Sequence, residues 1–329
     1  MKDSDAPITV ALSGAAGQAG YPLSFLIARG DVFGPDRRIR LQMLELDDAM
    51  RRLESVAMEL EDCAFPTLAS VEISSDPRAA YRGADWALLL GAARREKGME
   101  RNDLLRLNGQ IFREHGRALA QEANADIRIL VVGNPCNTNC LIARSNAPEI
   151  PADRWFAMMR LDQNRATSIL AKKAGVGVED VSGVVVWGNH SSTLYPDAES
   201  ARIGVEPAAS VIKDDDWLRG EFVSLVQQRG AAIIDYRGAS SAASAAEAAV
   251  VSVRAIDQGT GPEGYTSLAV VSRGEYSVPP GLQFGFPIRV QSGEWSVVEN
   301  LQVGDFGRQM LLATTDELMG ERHASSDLL

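Results

Sequence analysis

Short apolar runs alternate with amphipathic stretches through the first half of the chain, and this alternation restricts the fold more than any other feature. The runs Ile8–Ser13, Arg40–Leu44 and Trp86–Leu90 predict buried strands, while Tyr21–Arg29 and Arg101–Ala123 predict helices. Strand–helix–strand units at this spacing favour a parallel sheet, which right-handed crossovers make doubly wound. Such a sheet binds ligands beyond the carboxyl ends of its strands.

The pattern changes near Pro151, where helical stretches are followed by short β-rich runs. Leu161–Lys173 and Trp217–Tyr236 each predict one helix, and Gln283–Val290 predicts a strand. We therefore predict an α/β protein of two domains. Residues 1–155 form the doubly wound parallel sheet, and residues 156–329 form a second, α+β domain.

Composition excludes few functions but favours some. The net charge of −11 argues against nucleic-acid and anionic-membrane partners. The first residues lack the features of a signal peptide, and no apolar stretch approaches the roughly 18 residues of a membrane span. Three cysteines favour reduced thiols in a cytoplasmic protein over a disulfide framework. Cys136 and Cys140 have no histidine nearby, so we predict no metal site.

A glycine-rich turn directly follows the first predicted strand. Gly14, Gly17 and Gly20 allow tight turning and close approach of a pyrophosphate, with Gln18 between them, and the next helix directs its N–H groups at the phosphates. Glu45 ends the next strand, where a carboxylate accepts both ribose hydroxyls and repels a 2′-phosphate. These residues favour NAD over NADP. The alternative is an ordinary glycine-rich turn with a surface glutamate.

The segment from residue 94 to residue 101 is basic within an acidic protein. It follows the fourth predicted strand, where a loop would lie over the cofactor. Arg95 and Arg101 could clamp an anionic substrate, because a guanidinium binds a carboxylate through two parallel hydrogen bonds. The alternative is a solvated charge cluster.

Histidine is the side chain best suited to remove a hydroxyl proton during hydride transfer, and the chain has three. His115 lies in a predicted helix and His323 in a polar tail, whereas His190 follows a β-rich run at a strand-to-loop edge. His190 would need a carboxylate partner to hold its tautomer, and Asp162 is a candidate. The alternative role for Asp162 is an ordinary helix N-cap.

Six motifs together resemble those of the malate dehydrogenases, in particular the cytosolic-type branch that includes many bacterial enzymes. They are Gly14–Gly20, Met58–Cys63, Gly98–Arg101, Val132–Pro135, Leu161–Arg165 and Trp187–Ser192. The similarity covers almost the whole chain. It implies an N-terminal Rossmann domain that binds NAD, a C-terminal catalytic domain, and oxidation of (S)-malate to oxaloacetate in the tricarboxylic acid cycle. It also implies a homodimer.

The resemblance implies a role for each matching residue. His190 would accept the proton, paired with Asp162. Arg165 would bind the carboxylate beside the reacting carbon, and Arg95 and Arg101 on a closing loop would hold the other carboxylate. A lactate dehydrogenase would carry a neutral residue in place of Arg95, so that enzyme is the less favoured alternative. A non-catalytic NAD-binding protein is a third.

Further roles concern the nicotinamide side of the site. Asn134 would orient substrate and nicotinamide, and Ser241 or Ser244 would line that side. Cofactor contacts are also implied at Asn108 and at position 114, where a glutamine is expected and the sequence has Glu114.

Some positions depart from the family pattern. Gln163 stands where histidine is common, Cys136 where alanine is common and Arg94 where proline is frequent, and the pair Glu96-Lys97 is unusual. None of these carries an assigned role in the chemistry.

Overall fold

The computed structural model describes residues 6–93, 101–261 and 264–329, and only the backbone of residues 101 and 102. The chain forms two compact units. The first comprises Met1–Phe156, Ala242–Arg254 and Arg322–Leu329, and the second comprises Ala157–Ser241 and Ala255–Glu321. The first unit therefore includes segments beyond the predicted boundary near residue 155. Assigning one function to residues 1–155 and another to 156–329 stays a prediction.

The two late segments are bonded to other parts of the first unit. Arg254 donates a hydrogen bond to the carbonyl of Asp31. Near the C-terminus, the Asn146 side-chain amide donates to the carbonyl of Leu328 at 2.7 Å, and Leu328 is buried.

The chain up to residue 158 alternates strands and helices as the sequence predicts. In order, the elements are β1 (Ile8–Ser13), α1 (Gly20–Ala28), β2 (Ile39–Leu44), α2 (Met50–Asp62), β3 (Leu68–Ser74), α3 (Pro77–Tyr81), β4 (Trp86–Leu89), α4 (Arg101–Glu122), β5 (Arg128–Val131), α5 (Cys136–Ser145) and β6 (Trp155–Met158).

Strands β1 to β5 form the predicted parallel sheet. Its order is β3-β2-β1-β4-β5, so the chain reverses direction across the sheet between β1 and β4. Val10, Leu12 and Leu88, which lie in the central strands, are almost fully buried. The α/β class is confirmed, and the reversal beside β1 is where an open sheet of this kind holds a ligand.

The remaining elements mix short strands with longer helices. They are α6 (Arg160–Ala174), β7 (Val181–Ser182), β8 (Val185–Trp187), β9 (Tyr195–Asp197), β10 (Arg202–Ile203), β11 (Glu206–Pro207), α7 (Ala208–Ile212), α8 (Asp215–Arg219), α9 (Glu221–Arg237), α10 (Ala243–Gln258), β12 (Thr266–Val271), β13 (Gln283–Gln291), β14 (Glu294–Val297) and α11 (Asp305–Ala324).

Antiparallel pairing dominates the second unit. Strands β12, β13 and β14 pair in sequence, and β8 and β9 form a separate pair. The single helix predicted over Trp217–Tyr236 is wrong, because the chain breaks at Gly220 (φ −111°, ψ −86°) into α8 and α9. Across the described part of the chain, none of the helices is both long and apolar enough to cross a membrane.

Candidate active site

The glycine-rich turn between β1 and α1 has a packing reason for each glycine. Gly14 adopts φ +67°, and a Cβ there would lie 2.7 Å from the backbone nitrogen of Gly91. A Cβ at Gly17 would lie 3.0 Å from the Gly14 carbonyl oxygen, and one at Gly20 only 2.1 Å from it. Side chains would therefore fill the cradle in which the sequence predicts the pyrophosphate. The absence of Cβ atoms keeps the backbone accessible.

Helix α1 begins without a side-chain cap. The side chain of its N-cap residue, Ala19, makes no capping hydrogen bond, and the adjacent Gln18 is exposed. The N–H groups of a first helical turn and the helix dipole both attract an anion. This end of α1 therefore fits a diphosphate better than a capped helix would.

Glu45 follows β2 directly and lies beside this turn. Its Oε1 accepts a hydrogen bond from the Ala16 backbone N–H at 3.0 Å, and its own N–H donates to the Ser74 carbonyl at 3.2 Å. The carboxylate is half-buried at the carboxyl edge of the sheet. A carboxylate fixed there has lone pairs for a ribose diol, as the sequence predicts.

Asn108 connects the segments that follow two neighbouring strands. Its buried Oδ1 accepts from the Ala93 N–H at 2.7 Å, while its Nδ2 donates to the carbonyls of Ala93 and Asn134, both at 3.3 Å. These contacts use the amide on protein backbone, so Asn108 orders the loops around the predicted cofactor site. Asn134 is exposed after β5, with a cis peptide bond to Pro135.

Of the other residues predicted to contact a ligand from the first unit, only Glu114 has a described side chain. Glu114 lies on the exposed side of α4 and pairs with Arg117 at 3.1 Å. Arg101 is the first residue of α4, but its side chain lies outside the described atoms. Arg95 and the unusual residues Arg94, Glu96 and Lys97 lie outside the described residues altogether.

In the second unit, one carboxylate joins two of the predicted catalytic and binding residues. Asp162 Oδ2 is hydrogen-bonded to Nδ1 of His190, and Asp162 Oδ1 accepts from Nη1 of Arg165 at 3.1 Å. The Asp162 side chain is only 1% exposed, so its oxygens are hydrogen-bonded by these partners rather than by bulk water. Asp162 lies within the first turn of α6, whose N-cap is Met159, so the N-cap alternative is wrong.

The contacts hold each partner in one orientation. An ionised carboxylate only accepts hydrogen bonds, so Asp162 can accept an N–H of His190 at Nδ1, and the other ring nitrogen, Nε2, lies outside this contact. Arg165 also donates from Nη2 to the Ser241 hydroxyl at 3.1 Å. These contacts hold the guanidinium plane, and two of its five N–H donors are used in them.

Gln163, the departure from the family pattern beside Asp162, has a structural role. Its buried amide donates to the Val184 carbonyl at 2.9 Å and accepts from the Ser267 N–H at 2.9 Å. It thus joins the start of α6 to two other parts of the second unit. Cys136 is buried as well, with its thiol 3.5 Å from Asn137 Oδ1.

The other two histidines have different surroundings. His115 is buried on α4, its Nδ1 is hydrogen-bonded to the Tyr81 hydroxyl at 2.7 Å, and burial lowers the pKa of His115 to about 4. His323 is exposed in the last turn of α11. Neither has a carboxylate contact among the described side chains, unlike His190.

The sequence reasoning missed two polar residues that organise these sites. Ser13, the last residue of β1, accepts from the N–H groups of Leu90 and Gly91 at 3.2 and 3.3 Å. A serine ending an apolar strand before Gly14 is a local signal that could have found it. Glu317 on α11 is bonded to the segment around His190, but no local pattern marks a contact across 126 residues.

Comparisons with known proteins identify the family of the chain. Residues 8–156 match a lactate/malate dehydrogenase NAD binding domain, and residues 159–326 match a lactate/malate dehydrogenase alpha/beta C-terminal domain.

Among solved structures, the chain is similar to a malate dehydrogenase from Naegleria fowleri, with 41% identity over 99% of this chain and 100% of that one and a TM-score of 0.95. A lactate dehydrogenase from Trichomonas vaginalis, in complex with NADH and oxamate, has 37% identity over 98% of each chain and a TM-score of 0.93. A malate dehydrogenase from Salinibacter ruber, at 22% identity, 98% coverage of each chain and a TM-score of 0.82, shares the fold.

Proposed function

The chain belongs to the lactate/malate dehydrogenase family and is an NAD-dependent oxidoreductase, and from this premise we propose that it oxidises (S)-malate to oxaloacetate reversibly. The resemblance seen in the sequence and the choice of NAD are both confirmed at the level of the family. The observation that carries the proposed chemistry is the buried Asp162 carboxylate, which contacts both His190 and Arg165.

The cofactor is held by residues of the glycine-rich turn. Gly14, Gly17 and Gly20 leave the backbone open to the diphosphate, Gln18 lies at the start of the helix, and Glu45 accepts the ribose hydroxyls. Bound NAD supplies the hydride acceptor for malate oxidation. Asn134 orients substrate and nicotinamide. Asn108 and position 114 stay predictions as direct cofactor contacts.

His190 moves the proton. In malate oxidation, Nε2 removes the hydroxyl proton as the hydride leaves the carbon that bears it, so a secondary alcohol becomes a ketone. The resulting imidazolium is stabilised by Asp162, which already accepts the proton on Nδ1. In the reverse direction, the protonated ring donates to the ketone oxygen.

The arginines bind the two substrate carboxylates. Arg165, fixed by Asp162 and Ser241, binds the carboxylate beside the reacting carbon. Arg95 and Arg101 bind the second carboxylate, which malate has and lactate lacks.

An absorbance assay at 340 nm tests the reaction. We expect oxidation of NADH with oxaloacetate to be much faster than with pyruvate, and faster with NADH than with NADPH. His190→Asn should lower kcat about 10³-fold, whereas His323→Asn, at an exposed position, should not change it. Equal rates for the two histidine variants would contradict the assignment of His190.

Lactate dehydrogenase remains the second candidate, because the Trichomonas vaginalis relative is nearly as similar as the malate dehydrogenase. Arg95→Gln separates the two. An arginine left unpaired in a closed site disfavours pyruvate by up to roughly 10⁴-fold, so the substitution should sharply reduce the preference for oxaloacetate. Arg106→Gln, at an exposed position of α4, serves as the control. An unchanged ratio of kcat/KM values would refute the role of Arg95.

We also propose that the protein is a cytoplasmic homodimer. None of the three cysteines, all of which lie in the described part of the chain, forms a disulfide, which is typical of a reducing compartment. Light scattering should return twice the 35.4 kDa mass of one chain. A monomer mass at working concentration would overturn the dimer.

A further inference from the structure

Helix α11 presents a polar stripe to the segment that carries His190. Thr314, Glu317 and Glu321 are spaced three and four residues apart, so they share one face of the helix. Thr314 is fully buried, and its Oγ1 accepts the backbone N–H of Asn189 at 2.9 Å. The packing is tight, because a Cβ at Gly188 would lie 2.3 Å from Thr314.

Glu317 binds residues on both sides of His190 through one oxygen. Its Oε2 accepts from the Asn189 side-chain amide at 3.1 Å, from the Ser191 hydroxyl, and from the Thr193 hydroxyl. The backbone N–H of Thr193 in turn donates to Ser191 Oγ at 3.1 Å. Three donors within five residues therefore converge on one carboxylate oxygen of α11.

A second carboxylate reinforces this attachment. The Asn189 amide also donates to Glu321 Oε1 at 3.2 Å, and Asn189 is only 1% exposed. Hydrogen bonds to an ionised acceptor are shorter and stronger than neutral ones, and removal of water strengthens them further. The segment from 188 to 193 is thus fixed by charge-assisted contacts as well as by packing.

We propose that Glu317 is a positioning residue for His190. Asp162 fixes the rotation and tautomer of the His190 ring through Nδ1. Glu317 fixes the position of the backbone at His190 by binding the residues on either side of it. Both controls are needed, because proton transfer requires hydrogen-bond distance and a displacement of about 1 Å can cost about 100-fold in rate. The catalytic role of His190 in this inference rests on the proposed function.

Glu317→Gln keeps the shape of the side chain and removes its charge, so it is the variant of choice. The neighbouring Asp316→Asn removes one charge from an exposed position of the same helix and is the matched control. With whichever of oxaloacetate or pyruvate the wild type reduces, Glu317→Gln should lower kcat about 10- to 100-fold. The dissociation constant of NADH should stay within about twofold, since NADH binds the first unit.

The isotope effect distinguishes positioning from general destabilisation. If His190 is misplaced, the chemical step becomes slower than product release, so the deuterium isotope effect on kcat with 4-deuterated NADH should rise in Glu317→Gln and not in Asp316→Asn. Unchanged kcat and an unchanged isotope effect would overturn the positioning role.

A spectroscopic readout does not depend on turnover. Because the chain has only three histidines, ¹⁵N-histidine labelling gives three ring systems, and His190→Asn assigns the one of interest. The wild type should show one sharp set of His190 ring signals with a proton on Nδ1, as the contact with Asp162 implies, and Glu317→Gln should show several sets or broadened ring signals. Identical His190 signals in the two proteins would overturn the inference. If the wild type is inactive, the proposed function is refuted. The comparison of His190 ring signals would still test whether Glu317 positions His190, because it does not require activity.

Discussion

The two units use different parts of the chain for their candidate functional residues. The first unit relies on backbone, because Gly14, Gly17 and Gly20 lie where an added Cβ would come too close to neighbouring backbone atoms. The second relies on side chains, because Asp162 contacts both Arg165, three residues away in sequence, and His190, 28 residues away. A site built from backbone shows in the sequence as a local glycine spacing. A site built from side chains that are distant in sequence shows only as separate candidate residues, whose contact the sequence does not reveal. Substitutions in each unit test whether this division is real.

Asp162→Asn should have the largest effect, because one side chain holds two others. The amide loses the charge that stabilises the imidazolium and can no longer accept from both His190 and Arg165 as a carboxylate does. We expect kcat to fall about 10³-fold, or about 4 kcal/mol, with the NADH dissociation constant within about twofold of wild type. Asp215→Asn, exposed on α8, is the control. Weakened NADH binding would contradict the division in which the first unit binds the cofactor and the second carries the catalytic side chains.

One side chain of the first unit, the buried His115, should make the free energy of unfolding depend on pH. Burial lowers the pKa of His115 from 6.5 to about 4, so below pH 6.5 the unfolded chain takes up a proton that the folded chain does not. Stability contributed by the neutral ring is therefore complete above pH 6.5 and decreases as the pH falls towards 4, by about 3 kcal/mol. Urea unfolding at several pH values measures this slope. His115→Gln should flatten it, and an equal slope would assign the acid sensitivity to other groups.

Gly20→Ala tests the backbone site directly. The new Cβ would lie 2.1 Å from the Gly14 carbonyl oxygen, so the turn and α1 must move apart. Overpacking of this kind costs about 2 kcal/mol, which should appear as NADH binding about 30-fold weaker in a fluorescence titration. Gly83→Ala strains another glycine of positive φ but meets no atom within 4 Å, so it should lower the melting temperature without changing NADH binding. Equal dissociation constants for the two variants would refute the special role of Gly20.

The same division explains what the sequence could predict. Strand β1 has the predicted bounds, Ile8–Ser13, because a short apolar run followed by Gly14 is a local signal. Helix α5 was missed, because its residues Asn137, Thr138 and Asn139 are polar yet fully buried, which no amphipathic pattern reveals. The break at Gly220 was missed because helical periodicity continues on both sides of it.

The candidate site follows the same rule. His190 and Asp162 could be proposed from residue type and position, but their contact depends on how α6 packs, which no local pattern encodes. Glu317 was not predicted at all, since its partners lie 124 to 128 residues away and a glutamate late in a helix is usually solvated.

Gly320→Ala should have the smallest effect, in the opposite direction. Gly320 lies on the exposed side of α11, three residues after Glu317, and a Cβ there would meet nothing within 4 Å. Alanine is favoured over glycine within a helix by about 1 kcal/mol, so the melting temperature should rise by a few degrees. Because the substitution adds no atom near the His190 segment, kcat should not change. If kcat falls while the melting temperature rises, then α11 must flex during turnover, and the second unit depends on its backbone more than its side-chain contacts indicate.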